Sequence, residues 1–124
     1  MAYNAYSKYQ EQSIMTMTPG EMIVRLFEEC EKQLNIAIVS IDEKNIQATN
    51  NALQKTQRIF NYLKATLDHK YQVSKGLESL YDFFISRTIE ANIKKNKDLI
   101  TEILPLVTEL RETFQQGERL ARMK

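Results

Sequence analysis

Two residues in this 124-residue chain could carry catalysis or bind a metal: His69 and Cys30, the only histidine and the only cysteine. A di-iron bundle site needs paired Glu-x-x-His motifs, but the residue three before His69 is Thr66. A zinc site needs several Cys or His ligands, so no metal is expected. A phosphoryl-carrying histidine must stand accessible on a helix face. His69, followed by Lys70 and Tyr71, falls in a connection between helices and reads as a plain surface residue. With one cysteine no internal disulfide forms, and Cys30 lies on a helical seam, where a small apolar residue is expected. Gly20, Gly76 and Gly117 are isolated, so no glycine-rich phosphate loop is present. The acidic cluster Glu28, Glu29 and Glu31 points away from that seam and reads as a solvated helix face. An enzyme is not expected, and no cofactor is implied.

The remaining chemistry is apolar surface. Tyr3, Tyr6 and Tyr9 recur every three residues in the first seventeen and are followed by Ile14, Met15 and Met17. A merely solubilising tail would not hold half of the six tyrosines. Residues 1–17 therefore read as an apolar arm, either docked permanently on the domain or covering a binding groove.

The elements behind that arm are helices. Thr18-Pro19-Gly20-Glu21 combines a capping box with proline at the first helical position. Ile23, Phe27, Cys30, Leu34, Ala37 and Ile41 then recur at steps of four and three, giving a helix from Pro19 to about Ile41. Asn45 caps a second helix from Ile46 to about Leu67, with Thr49, Ala52, Thr56, Ile59, Leu63 and Leu67 on its seam. After the connection Asp68–Lys75, a third helix runs to Ile93 or Lys94 on Leu77, Leu80, Tyr81, Phe84, Thr88 and Ala91. Ile85, Ile89 and Ile93 form a second stripe beside that seam, wider than one neighbour requires, so a further neighbour or a partner must cover it. Lys94, Lys95, Asn96 and Lys97 read as a solvated basic turn. A fourth helix runs from Asp98 to Arg119 or beyond on Ile100, Ile103, Val107, Leu110, Phe114, Gly117 and Ala121, kinked at Pro105.

Helices of this length with short connections predict an all-α fold: an antiparallel up-down-up-down four-helix bundle, one domain over residues 1–124 with residues 1–17 as an N-terminal arm. Apolar residues are 43% and charged residues 27%, with 17 basic against 16 acidic and a net charge of +1. That balance excludes a general nucleic-acid binder. Met1–Gln12 lacks the apolar core of a signal peptide, and the longest apolar run, Ile36–Val39 and then Ile41, is too short to span a bilayer. A cytoplasmic protein without membrane insertion is expected.

Three groups of residues resemble one family. Tyr6, Tyr9, Ile14, Thr16, Thr18-Pro19 and Leu26-Phe27-Glu28 resemble the start of the FliS family of flagellin export chaperones. Leu80-Tyr81-Asp82-Phe83-Phe84 with Ile89-Glu90-Ala91-Asn92 is similar to that family's third helix, and Leu110-Arg111-Glu112-Thr113-Phe114 to its Leu-Arg-x-x-Trp element. Glu29, Phe27 and Phe114 stand where the family usually has Gly, Tyr and Trp. The resemblance implies a chaperone that binds the C-terminal segment of flagellin, keeps it unpolymerised and delivers it to the flagellar type III export gate. A regulatory adaptor of the same fold, binding another flagellar regulator, is the alternative. A bundle of this kind would offer its client apolar grooves, and the expected client-binding residues are Tyr6, Tyr9 and Ile14 of the arm and Ile85, Ile89 and Ile93 of the stripe.

Overall fold

The structure, a computed structural model, describes residues 17–123. Four helices follow one another: α1 (Pro19–Asp42), α2 (Ile46–Ala65), α3 (Ser74–Lys94) and α4 (Lys97–Arg122). Each packs on its chain neighbours, and α4 returns to α1, so the four close into a ring as an antiparallel four-helix bundle.

The helix starts follow capping chemistry. The Glu21 N–H donates to Thr18 Oγ1 at 3.2 Å, Ala48 N–H to Asn45 Oδ1 at 3.1 Å and Asp98 N–H to Asn96 Oδ1 at 3.0 Å. Each satisfies an N–H that the helix itself cannot bond. The α2–α3 connection has the length of the predicted Asp68–Lys75 but lies two residues earlier. α2 ends at Ala65, and Asp68 Oδ1 accepts from the Lys70 N–H at 3.0 Å, turning the chain so that α3 already begins at Ser74.

The seams meet in one core. Phe27, Cys30, Leu34 and Ala37 of α1 pack with Leu53, Phe60 and Leu63 of α2, Tyr81, Phe84 and Ala91 of α3, and Ile100, Ile103 and Val107 of α4. Its aromatic rings touch in sequence: Phe60 and Phe84 centroids are 5.1 Å apart, Phe27 and Phe114 5.5 Å, and Phe27 and Tyr81 6.4 Å. The buried threonines keep their hydroxyls satisfied inside this apolar layer. Thr49, Thr56 and Thr88 donate to the carbonyls of Asn45, Ala52 and Phe84, at 2.9, 2.9 and 2.7 Å. The α4 helix continues through Pro105, as its unbroken seam predicts.

Two surfaces expected to be solvated are partly tied into the fold, while Glu28 stays exposed as expected. Glu31, four residues after Phe27, sits on the edge of the seam that faces α4 rather than out in water. Its carboxylate accepts from Arg111 Nε at 2.6 Å and from Thr108 Oγ1 at 2.8 Å. The basic turn is likewise tied down. Lys95 takes a left-handed conformation (φ 50°) that ends α3, and its Nζ donates to Asn50 Oδ1 and Asn92 O at 2.6 Å and to Asn92 Oδ1 at 2.7 Å. Lys97 Nζ reaches Asp42 at 2.7 Å. Together these bonds fasten the end of the bundle where α1 ends, α2 begins and α3 hands over to α4.

Candidate functional site: apolar surfaces outside the core

Among the described residues, three apolar surfaces outside the core stand out. The first is the α3 stripe. Asp82 of α3 pairs with Lys64 at 2.6 Å and Lys95 reaches Asn50, so the edge of α3 between those bonds borders α2. Ile85, Ile89 and Ile93 lie on this edge at successive turns. Ile85 packs against the core, Ile89 is 38% exposed and Ile93 is 78% exposed. A step of four residues advances about 40° beyond a full turn, so the stripe rotates out of the bundle as it ascends. On the other edge of α3, Arg87 stacks on Phe83 at 5.1 Å and its Nε lies 3.5 Å from a Glu102 carboxylate oxygen. The structure thus brings the three predicted isoleucines together on one side of α3. The predicted arm residues Tyr6, Tyr9 and Ile14 lie outside the described residues.

The second is a groove of about 680 Å³ at the opposite end of the bundle, where α1 starts, α2 ends, α3 starts and α4 ends. Ile23, Leu63, Leu67, Leu77, Leu110 and Phe114 form its apolar wall, and Tyr71 and Val73, 65% and 64% exposed, stand at its mouth. Tyr81 forms part of the lining while only 2% exposed, and burial pushes its phenol up to about 12, so it stays an uncharged donor throughout the physiological range. Sequence reading missed this groove. Leu110 and Phe114 carry the α4 seam past Val107, the last fully buried residue of that helix, and become a wall instead of a core. The available signal was Tyr71 and Val73, two large apolar residues in a connection.

The chain enters the bundle beside this groove. Glu118 closes over the start of α1: its carboxylate accepts from Thr18 Oγ1 at 3.0 Å and occupies the space that a Cβ on Gly20 would need. A negative charge there also suits the positive end of the helix dipole. Met17, just before Thr18, lines a separate pocket between α1 and α4 beside Glu21, Gln115 and Arg122. The third apolar surface lies between α1 and α2, around Leu26 and Ile59.

Of the two residues singled out for chemistry, Cys30 lies in the core and His69 at the surface. Among the described residues no group of three or more His, Cys, Asp or Glu could hold a metal. Cys30 is fully buried, and burial, reinforced by Glu29 and Glu31, drives its thiol well above the ordinary range, so it is held protonated. His69 is exposed and lies 3.8 Å from Glu78. Among the described residues no helix is long and apolar enough to cross a membrane.

Comparison with known proteins agrees with the fold and with the earlier resemblance. The sequence profile described as "Flagellar protein FliS" matches residues 2–120. The "Flagellar secretion chaperone FliS" of Bacillus subtilis (strain 168) is 32% identical over 114 residues, covering 92% of this chain and 86% of that protein. The protein of the same name from Campylobacter jejuni subsp. jejuni serotype O:6 is 30% identical over 118 residues, covering 94% of this chain and 90% of its own length. A solved structure described as "Crystal structure of flagellar chaperone from bacteria" superposes with a TM-score of 0.78 at 20% identity, covering 96% of this chain and 98% of that one. On a match that runs over nearly its whole length, this chain belongs to the FliS family of flagellar proteins.

Proposed function

We propose that this chain is a cytoplasmic secretion chaperone whose client is the C-terminal segment of flagellin, which it holds unpolymerised and presents to the flagellar type III export gate. The observation that carries this reading is the α3 edge. Its seam side is already filled by the core, yet it offers Ile89 and Ile93 to solvent at helical spacing. A chain segment that is unfolded alone and apolar on one face gains most by folding against such a strip. The client residues that would otherwise drive assembly are then the ones that become covered.

The arm has a place in the same scheme. In this reading Tyr6, Tyr9 and Ile14 occupy an apolar groove in the free protein and give way when client arrives. Ordering the client offsets part of the binding free energy, so affinity stays below what the buried area alone would give. That compromise suits a chaperone that must release its client at the gate.

The test is titration calorimetry of the full chain with a peptide of the last ~40 residues of the cognate flagellin, which as helix would extend roughly 60 Å. Saturable one-to-one binding with a large negative heat-capacity change is expected, because apolar surface is removed from water. No binding by a chain that circular dichroism reports as folded, or binding to a different flagellar protein only, would overturn the assignment.

A further inference from the structure

The third apolar surface has a character of its own. Met22 and Leu26 of α1 and Ile59 and Tyr62 of α2 line a groove of about 470 Å³, and Tyr62 is 46% exposed. Lys55 and Arg58 stand over its α2 side, both exposed and, among the described residues, without a carboxylate partner. No residue of α2 is acidic, so nothing on that helix offsets them. The one carboxylate on the α1 side, Glu29, accepts from Gln33 Nε2 at 2.8 Å. Gln33 is neutral, so Glu29 keeps its charge, and the groove is an apolar floor whose rim carries two cations against one anion. It also lies on the edge of α2 facing α1, whereas Lys64 and Asn50 mark the edge facing α3, so the two surfaces can be occupied together.

We infer that the α1–α2 groove is a second docking surface, fitted to an acidic amphipathic helix of a partner protein. Met22 to Leu26 covers about one helical turn, which seats two apolar residues of the partner spaced three or four apart. Carboxylates flanking those residues then face Lys55 and Arg58. Charge argues against the arm as occupant, because residues 1–16 hold one lysine and one glutamate and supply no negative surplus. This surface does not depend on the flagellin assignment, since its occupant is distinguished by charge and by the edge of α2 it uses.

The test uses the full chain with methyl-labelled side chains and two designed amphipathic peptides of about 16 residues, roughly four turns, identical except that glutamates flanking the apolar face in one are lysines in the other. The glutamate peptide is expected to bind and to shift the methyl signals of Met22, Leu26 and Ile59 while leaving Ile89 and Ile93 unmoved. The double variant Lys55→Glu/Arg58→Glu should weaken it by about tenfold and improve the lysine peptide, since close interfacial charge pairs set partner choice. The milder Lys55→Gln/Arg58→Gln should weaken the glutamate peptide without favouring the other, and melting curves check that both variants fold. Equal binding of the two peptides, no binding, or shifts confined to Ile89 and Ile93 would overturn the inference. A nitroxide on Ser7→Cys that broadens Leu26 and Ile59 in the free chain would make the arm the occupant. Self-association abolished by Tyr62→Ala would make it a second copy, and either result likewise sinks the proposal.

Discussion

Replacing Ile93 by alanine should weaken client binding while leaving the bundle as stable as before. Full burial of an isoleucine side chain contributes about 1.5–3 kcal/mol. With Ile93 78% exposed, roughly three-quarters of that gain is still unspent in the free protein, so a covering client would draw about 1–2 kcal/mol from it. At 1.4 kcal/mol per tenfold, Ile93→Ala raises the dissociation constant about 5- to 30-fold. Ile89 is 38% exposed, and the same reasoning gives Ile89→Ala only about a 2- to 5-fold loss. Stability should run the other way. Ile85 packs against the core, and Ile85→Ala costs about 2 kcal/mol or more, whereas Ile93→Ala costs about 0.5 kcal/mol or less. In a domain of this size that is a melting shift of roughly 3 °C or less for Ile93→Ala against about 8 °C or more for Ile85→Ala. Calorimetric titration with the flagellin peptide, beside thermal melts of the three variants, gives both orders. Affinity unchanged within about twofold for Ile93→Ala, in a fully folded protein, would refute the assignment of this edge to the client.

Three further outcomes follow from the geometry. Glu31→Gln and Arg111→Met should each destabilise by about 1–3 kcal/mol, because each leaves a partly buried charge without its partner. The double variant should lose less than the sum, as chemical denaturation of the cycle would reveal; strict additivity would mean that the pair is not coupled. Glu90 is held below the usual carboxylate range, first by its hydrogen bond and charge interaction with Lys94 and then by Arg87. Its contribution is therefore present above the unfolded-state value and fades as pH falls through the lower folded-state value, so the gap in melting temperature between wild type and Glu90→Gln should close on acidification. A gap that widened in acid would contradict the pairing. Finally, the Cys30 thiol, protonated and enclosed, should react with a disulfide reagent only at the rate of opening of the bundle, whereas a fast reaction in native buffer would show it accessible.

The bundle was legible because its signals are local. Caps at Thr18 and Asn45 and apolar steps of three and four need no knowledge of neighbours, and the helices begin close to where those signals put them. What escaped depended on distance. Glu31 meets Arg111 across 80 positions, and nothing in either segment announces the other. Periodicity also reports the phase of a face, not whether anything stands opposite. The α4 seam holds its phase to Ala121, yet beyond Val107 the bundle gives it no full cover: Leu110 and Phe114 are half-buried, and Gly117 and Ala121 are exposed. The same limit applies to the α1–α2 groove, since nothing local shows that Leu26 and Ile59 meet across it. The α3 stripe was readable because it is an excess: a helix with more apolar circumference than its neighbours need declares a vacancy on its own.

The two ends of the bundle are built unequally. One is sewn together by Lys95 to Asn50 and Asn92 and by Lys97 to Asp42; the other carries the groove, and its α4 strip is not fully buried beyond Val107. Local opening is cheapest where few buried contacts must break. The molecule should therefore breathe like a peg, hinged at the lysine-rich turn and parting at the jaws. Amide exchange along α4 would then be slowest around Ile100 to Val107 and fastest toward Arg122. A hinge of that kind would let the groove widen and narrow by spreading the jaws, without remaking the core.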